Sequence, residues 1–102
     1  MKPITVINFF TVKAGKLEEF IQIQNTFAKE LCKSFSGLQG GRMYRGLDGK
    51  SAVLVSIFES QEAQEEVRKL QIFRDHVGKL QSVLEDAQPA LYEVAYTTGN
   101  FN

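Results

Sequence analysis

The amide of Asn8 and the imidazole of His76 are the two side chains whose chemistry and placement stand out in this sequence. Asn8 interrupts an apolar strand pattern, in which Val6 and Phe10 lie on its side of the strand. A buried amide must be hydrogen-bonded, or it destabilises the fold. We therefore expect Asn8 either to bond to neighbouring backbone or to point into a cavity, where it could stabilise an oxyanion.

His76 is the only histidine, and histidine is the side chain whose ordinary pKa lies nearest neutrality. It lies between Phe73 and Leu80, close to the apolar stripe of a predicted helix. One interpretation is a general base that deprotonates a phenol or quinol. The alternative is a boundary histidine with one nitrogen in water, since the sequence shows no side chain that would orient the ring.

Four further residues are candidates for binding a substrate. Arg42 and Tyr44 share one face of a predicted strand, where they could bind an anionic or phenolic oxygen, or could be an edge-strand charge and a packed tyrosine. Phe58 and Phe73 could line a pocket, although aromatic side chains at such spacing usually belong to the core.

Two periodicities predict the elements that would position these residues. Alternating β-branched and aromatic residues predict four strands, over 4–12, 38–46, 52–59 and 90–98. Helical spacing predicts helices over 17–33, 61–70 and 72–86. Ser60 is the expected N-cap of the middle helix, and Pro89 is expected to separate the last helix from the last strand. The order β-α-β-β-α-β predicts an α+β, ferredoxin-like fold, with a four-stranded antiparallel sheet and helices on one face.

The predicted sheet is apolar on both faces. Helices on one side would leave a second apolar surface exposed, formed by Ile7, Phe9, Val53, Val55 and Ile57. Such a patch exceeds what a monomer usually exposes. The sequence therefore predicts a homodimer in which a second sheet covers this face.

Composition narrows the class of protein. The 102 residues are the size of one domain, spanning 1–102, and the 12 basic residues balance the 12 acidic ones. Neither a nucleic-acid partner nor a membrane partner is expected from this charge balance and the short apolar runs. One cysteine and one histidine make a metal site unexpected and favour a cytoplasmic location. The charged residues of 62–69 are interpreted as a solvated helix face.

Four blocks of the chain resemble the antibiotic-biosynthesis monooxygenase family, a branch of the dimeric α/β-barrel proteins. They are VKAGKLEEF at 12–20, SGLQGGRMYRGLDG at 36–49, VSIFESQEAQEEV at 55–67 and IFRDHVGKL at 72–80. The resemblance implies a cofactor-independent monooxygenase acting on a hydrophobic aromatic or quinol substrate. In that role Asn8 would hold the developing oxyanion of a dienolate that reacts with O₂, and His76 would assist proton removal.

Two departures from the family pattern leave alternatives open. Family members often have Trp where Phe58 stands, and this chain contains no Trp. Asn8 resembles the haem-side Asn of the haem-degrading branch, but Val67 and Val77 stand where that branch needs Trp and an axial His. The alternatives are therefore a haem-binding or haem-degrading monooxygenase and a non-enzymatic dimeric ligand-binding protein.

Overall fold

Seven elements follow one another in residues 2–101, the part of the chain that this computed structural model describes. They are β1 (Ile4–Val12), α1 (Leu17–Ser34), β2 (Leu38–Arg45), β3 (Ser51–Phe58), α2 (Gln61–Arg68), α3 (Gln71–Leu80) and β4 (Leu84–Tyr92). The strands form one antiparallel sheet in the order β2-β3-β1-β4. The predicted ferredoxin-like α+β fold, with helices on one face of a four-stranded sheet, is confirmed.

Strand alternation divides the residues of β1 between the two faces of the sheet. Phe10 and Val12 are buried on the face that the helices cover, and Asn8 lies on the same face because it is two residues from Phe10. In the neighbouring strands, Asn8 is paired with Leu54 of β3 and Pro89 of β4. The central strand therefore carries Asn8 into the layer between sheet and helices.

Polar and charged side chains mark the start of α2 and both ends of α1. The Ser60 hydroxyl accepts a hydrogen bond of 3.1 Å from the Ala63 N–H, which confirms the predicted N-cap. Glu18 and Glu19 occupy the first turn of α1 and Lys33 the last, the order that the helix dipole favours.

None of the helices within residues 2–101 has the combination of length and apolar character that would let it cross a membrane.

The predicted boundaries of the last helix and strand are wrong. The sequence predicted a helix over 72–86 and a strand over 90–98, whereas α3 ends at Leu80 and β4 occupies Leu84–Tyr92. Val83, which fits the helical spacing, instead lies fully buried in the intervening turn and accepts a hydrogen bond from the Lys13 N–H. Pro89 lies within β4, where it is tolerated because this is an edge strand.

Two clusters of buried apolar side chains fill the layer between sheet and helices. The first core cluster comprises Phe10, Val12, Leu17, Phe20, Ala52, Leu80 and Val83. The second core cluster comprises Leu31, Phe58, Ala63 and Val67, with Phe27 and Phe73 among the half-buried side chains packed against it. Gln24 and His76 are buried polar side chains that belong to neither cluster.

Within residues 2–101 no helix covers the opposite face of the sheet, which is largely apolar. Phe9 is 52% exposed and Ile57 is 40% exposed, while Ile7, Val53 and Val55 are half-buried. Phe9 is paired with Val53 and Ile7 with Val55, so these side chains form one continuous surface. We call this surface, formed by the five residues named here, the outer face.

Replacing Phe20 with alanine is expected to lower the free energy of unfolding by about 3–5 kcal/mol. The Phe20 ring is 0% exposed and packs against the Phe10 ring with centroids 4.8 Å apart, so its removal leaves a cavity. The same substitution at Phe101, which is largely exposed, serves as the control and should change stability by less than about 0.5 kcal/mol. Urea unfolding at one protein concentration measures both; equal effects at the two positions would contradict the placement of the first core cluster.

Candidate active site

His76 lies inside the protein, where α3 packs against α1. The side chain is 6% exposed, and its ring stacks on Phe27 with centroids 4.0 Å apart and planes 5° apart. Its Nε2 is hydrogen-bonded to Oε1 of Gln24, a residue 52 positions away in the chain. The histidine is therefore fixed by an aromatic ring and by an amide.

This arrangement defines the charge and tautomer of His76. Because the Gln24 oxygen accepts the hydrogen bond, the imidazole donates from Nε2 and its free lone pair lies on Nδ1. Burial lowers the pKa of His76 to about 4, and the charge of Lys79 acts in the same direction. At neutral pH His76 is thus an uncharged base in the interior, and the predicted alternative of a boundary histidine does not describe its position.

Gln24 is a candidate site residue that the sequence analysis missed. It lies on α1 between the buried Phe20 and the half-buried Phe27, and it is itself buried on the inner side of the helix. The sequence does contain a sign of this role, because a glutamine interrupts the apolar stripe of α1. The helical period predicts an apolar residue one turn after Phe20, and Gln24 stands there. A buried amide requires a polar partner, which the fold supplies from α3.

Asn8 has a buried amide oxygen that lacks a hydrogen-bond partner among residues 2–101. Its paired neighbours across the sheet are Leu54 and Pro89, whose side chains carry no hydrogen-bond donor. An unsatisfied buried acceptor destabilises the fold by about 1–3 kcal/mol unless a donor reaches it. Of the two predicted arrangements, backbone bonding does not satisfy Oδ1, so this atom remains able to accept a hydrogen bond from a bound molecule.

The two candidate phenylalanines lie on the same side of the sheet as Asn8 and His76. Phe73 meets Phe27 edge to face, with ring centroids 6.2 Å apart, and Phe27 in turn stacks on His76. Phe58 is buried in the second core cluster, against which Phe73 also packs. The fold therefore places Phe73, Phe27 and His76 in one aromatic row, with Phe58 in the core beside it.

Arg42 and Tyr44 lie on the other face of the sheet. They are paired with Val55 and Val53 of β3, which belong to the outer face, and Arg42 Nη1 is 3.5 Å from the Tyr44 hydroxyl. Within one chain the structure therefore does not bring them together with Asn8 and His76. Their predicted role in binding a substrate stays a prediction.

Comparison with known proteins shows the family to which this chain belongs. The sequence model of the antibiotic biosynthesis monooxygenase family matches residues 3–79, which is more than half of the chain. The chain belongs to this family. No curated protein sequence is significantly similar to it.

Solved structures of the same fold come from several organisms. SnoaB, a cofactor-independent oxygenase from Streptomyces nogalater, superposes with a TM-score of 0.85 at 20% identity, over 95% of this chain and 97% of that one. Rv0793 from Mycobacterium tuberculosis gives a TM-score of 0.80 at 15% identity, over 96% and 100% of the two chains. A conserved protein from Methanosarcina mazei gives 0.78 at 17% identity, over 90% and 92%. At these identities the likeness establishes the fold.

The positions that the haem-degrading branch of the monooxygenase family would use do not fit haem here. Val67, where that branch needs Trp, is buried in the second core cluster. Val77, where it needs the axial His, is half-exposed on α3 and cannot ligate iron. His76, the only histidine, is stacked on Phe27 and bonded to Gln24. Within residues 2–101 no three His, Cys, Asp or Glu side chains are grouped as metal ligands.

Burial of His76 is expected to make the stability of this family member fall as the pH is lowered from about 6.5 to about 4. Across this window the unfolded chain binds a proton that the folded chain excludes, so protons favour unfolding; below the window both states are protonated and the effect is complete. The loss should approach about 3 kcal/mol.

The measurement is denaturant unfolding of wild type and His76→Gln between pH 7 and pH 4. Glutamine does not titrate, so the difference in unfolding free energy between the two proteins should shrink or reverse as the pH falls. The carboxylates are common to both proteins, so their titration largely cancels in the comparison. A difference that stays constant with pH would contradict the buried position of His76.

Proposed function

We propose that this protein is a cofactor-independent monooxygenase that oxidises a hydrophobic aromatic or quinol substrate. The observation that carries the proposal is the buried, neutral His76, which is oriented by Gln24 and stacked on the Phe27 ring. Membership of the antibiotic biosynthesis monooxygenase family supports oxygenase chemistry, and SnoaB, which shares the fold, is a cofactor-independent oxygenase.

In the proposed reaction His76 removes a proton from the bound quinol. Its Nδ1 accepts the proton, and the resulting imidazolium forms beside a substrate anion. The pKa of the free imidazole is low because the charged form is desolvated. The negative charge that develops on the substrate offsets this desolvation, so proton transfer becomes favourable only when substrate is bound.

Asn8 supplies the second polar group in this proposal. Its unsatisfied Oδ1 would accept a hydrogen bond from the hydroxyl of the neutral substrate, and its amide N–H groups would donate to an oxyanion as charge develops. The ring carbon beside the oxyanion, which still carries its hydrogen, bonds to O₂ and gives a peroxide anion. This anion takes up the proton held by His76 and becomes a hydroperoxide. Loss of water then leaves a carbonyl, so one oxygen atom enters the product, the other becomes water, and the substrate supplies all four electrons.

Oxygen uptake with a naphthoquinol tests this function. Wild-type protein, with a chelator present and no flavin or haem added, should consume O₂ faster than autoxidation and yield the hydroxyquinone. With heavy-isotope O₂, one labelled atom should appear in that product. A rate equal to the protein-free rate, or hydrogen peroxide formed without incorporation, would contradict the proposal.

We also propose that two copies associate through the outer face. This face exposes Phe9 and Ile57 on a sheet whose other side is already covered by helices. Association through a two-fold axis would place the same apolar patch of each copy against the other. This arrangement removes from water the side chains that one chain leaves exposed.

A further inference from the structure

An open pocket of about 570 Å³ lies beside the bend between α2 and α3, lined by Glu65, Arg68, Lys69 and Phe73. Its volume falls within the range of small-molecule sites. The sequence alone predicts a solvated helix face for its charged residues. The structure shows that part of that face borders an aromatic ring that also contacts the interior.

The aromatic row connects this pocket with the buried base. Phe73 lines the pocket and meets Phe27 edge to face, and Phe27 stacks on His76. Phe27 and Phe73 are both half-buried, so they lie between the solvent-exposed rim and the interior. A planar aromatic molecule bound at Phe73 would therefore lie against a ring that contacts Phe27, the ring stacked on His76.

The rim of the pocket carries an excess of positive charge. Two of its side chains, Arg68 and Lys69, are cationic, and Glu65 is the acidic one. Neither cation forms an ion pair within residues 2–101, unlike Arg45, which pairs with Glu18. The donors of a guanidinium match the two oxygens of a carboxylate, so Arg68 is suited to bind one.

We propose that this pocket is the entrance of the active site and recognises the carboxylate of an aromatic acid, with Arg68 and Lys69 binding the carboxylate and Phe73 contacting the ring. This inference rests on the proposed function, because that function makes the interior end of the aromatic row the place of reaction. It narrows the substrate class from hydrophobic aromatics in general to aromatic acids.

Binding of 2-naphthoate and its neutral analogue 2-naphthamide tests the proposal by calorimetry at low salt. The two probes share one ring system, so their affinity ratio isolates the carboxylate. Naphthoate should bind about 5- to 10-fold more tightly to the wild type, and Arg68→Gln should abolish this preference. Glu65→Gln should increase the preference for naphthoate over naphthamide, because it removes an acidic side chain beside the bound carboxylate.

Lys29→Gln is the matched control, since it removes one positive charge from an exposed position on α1. It should leave the preference for naphthoate intact. Equal affinities of the two probes for the wild type, or an equal loss in Lys29→Gln and Arg68→Gln, would overturn the proposal. Far-UV circular dichroism confirms that each variant is folded.

A second measurement tests the connection with the interior. Naphthoate should shift the ring-proton signals of His76, which are unambiguous because the chain has one histidine. Unchanged signals at saturating naphthoate would overturn the assignment of this pocket as the entrance. Both measurements are made without turnover. A protein that binds naphthoate as expected but oxidises neither naphthoquinol nor its 2-carboxylic acid would therefore refute the proposed function alone.

Discussion

Replacing His76 with glutamine is expected to lower kcat for oxygen uptake by about 10²–10⁴-fold, the usual contribution of a general base. Glutamine retains an N–H group that can donate to Gln24, so the hydrogen bond within the core is kept while the basic lone pair is lost. Steady-state oxygen uptake with naphthoquinol gives kcat, and unfolding curves establish that the variant is folded. A folded His76→Gln protein with the wild-type kcat would remove His76 from the mechanism.

Asn8→Ala provides a second test of the same site. Loss of an oxyanion donor should lower kcat by about 10²–10³-fold. The same change removes a buried acceptor that lacks a partner, so the free protein should be little destabilised. A merely structural asparagine would show the opposite pattern, with reduced stability and unchanged kcat.

The alternation of apolar residues allowed the fold to be predicted through α2, because strands and helices bury side chains with different periods. The prediction was wrong from Leu80 to Thr98. Val83 and Leu84 fit both a continuing helix and a new strand, and the strand predicted over 90–98 ends at Tyr92. From sequence, Pro89 predicts a break between the last helix and the last strand. In the structure it lies in an edge strand, and sequence alone does not reveal which strand is at the edge.

The candidate site could be predicted only in part, for a different reason. His76 and Asn8 were recognisable by residue type, but the hydrogen bond between His76 and Gln24 joins residues 52 positions apart and depends on how α1 packs against α3. Arg42 and Tyr44 could be placed on a common face of β2. Their separation from Asn8 depends on the pairing of β2 with β3, which periodicity does not specify.

The charge introduced by Phe9→Glu is expected to weaken the proposed dimer by at least about 10²-fold in dissociation constant, since an unpaired buried charge is destabilising by about 3–5 kcal/mol. Phe9 is 52% exposed in the single chain, belongs to the outer face and is paired with Val53. In a solvated monomer the glutamate would be tolerated, because it would point into water. The substitution therefore acts mainly on association.

Light scattering across a concentration series measures this effect. The wild type should have twice the mass of one chain at micromolar concentration, and Phe9→Glu should shift toward the mass of one chain. Phe9→Leu is the matched control, because it keeps the surface apolar and should preserve the dimer. Exposed Phe101 offers a second comparison, since Phe101→Glu adds the same charge outside the outer face. A wild-type monomer with intact secondary structure would show that water, rather than a second sheet, covers the outer face.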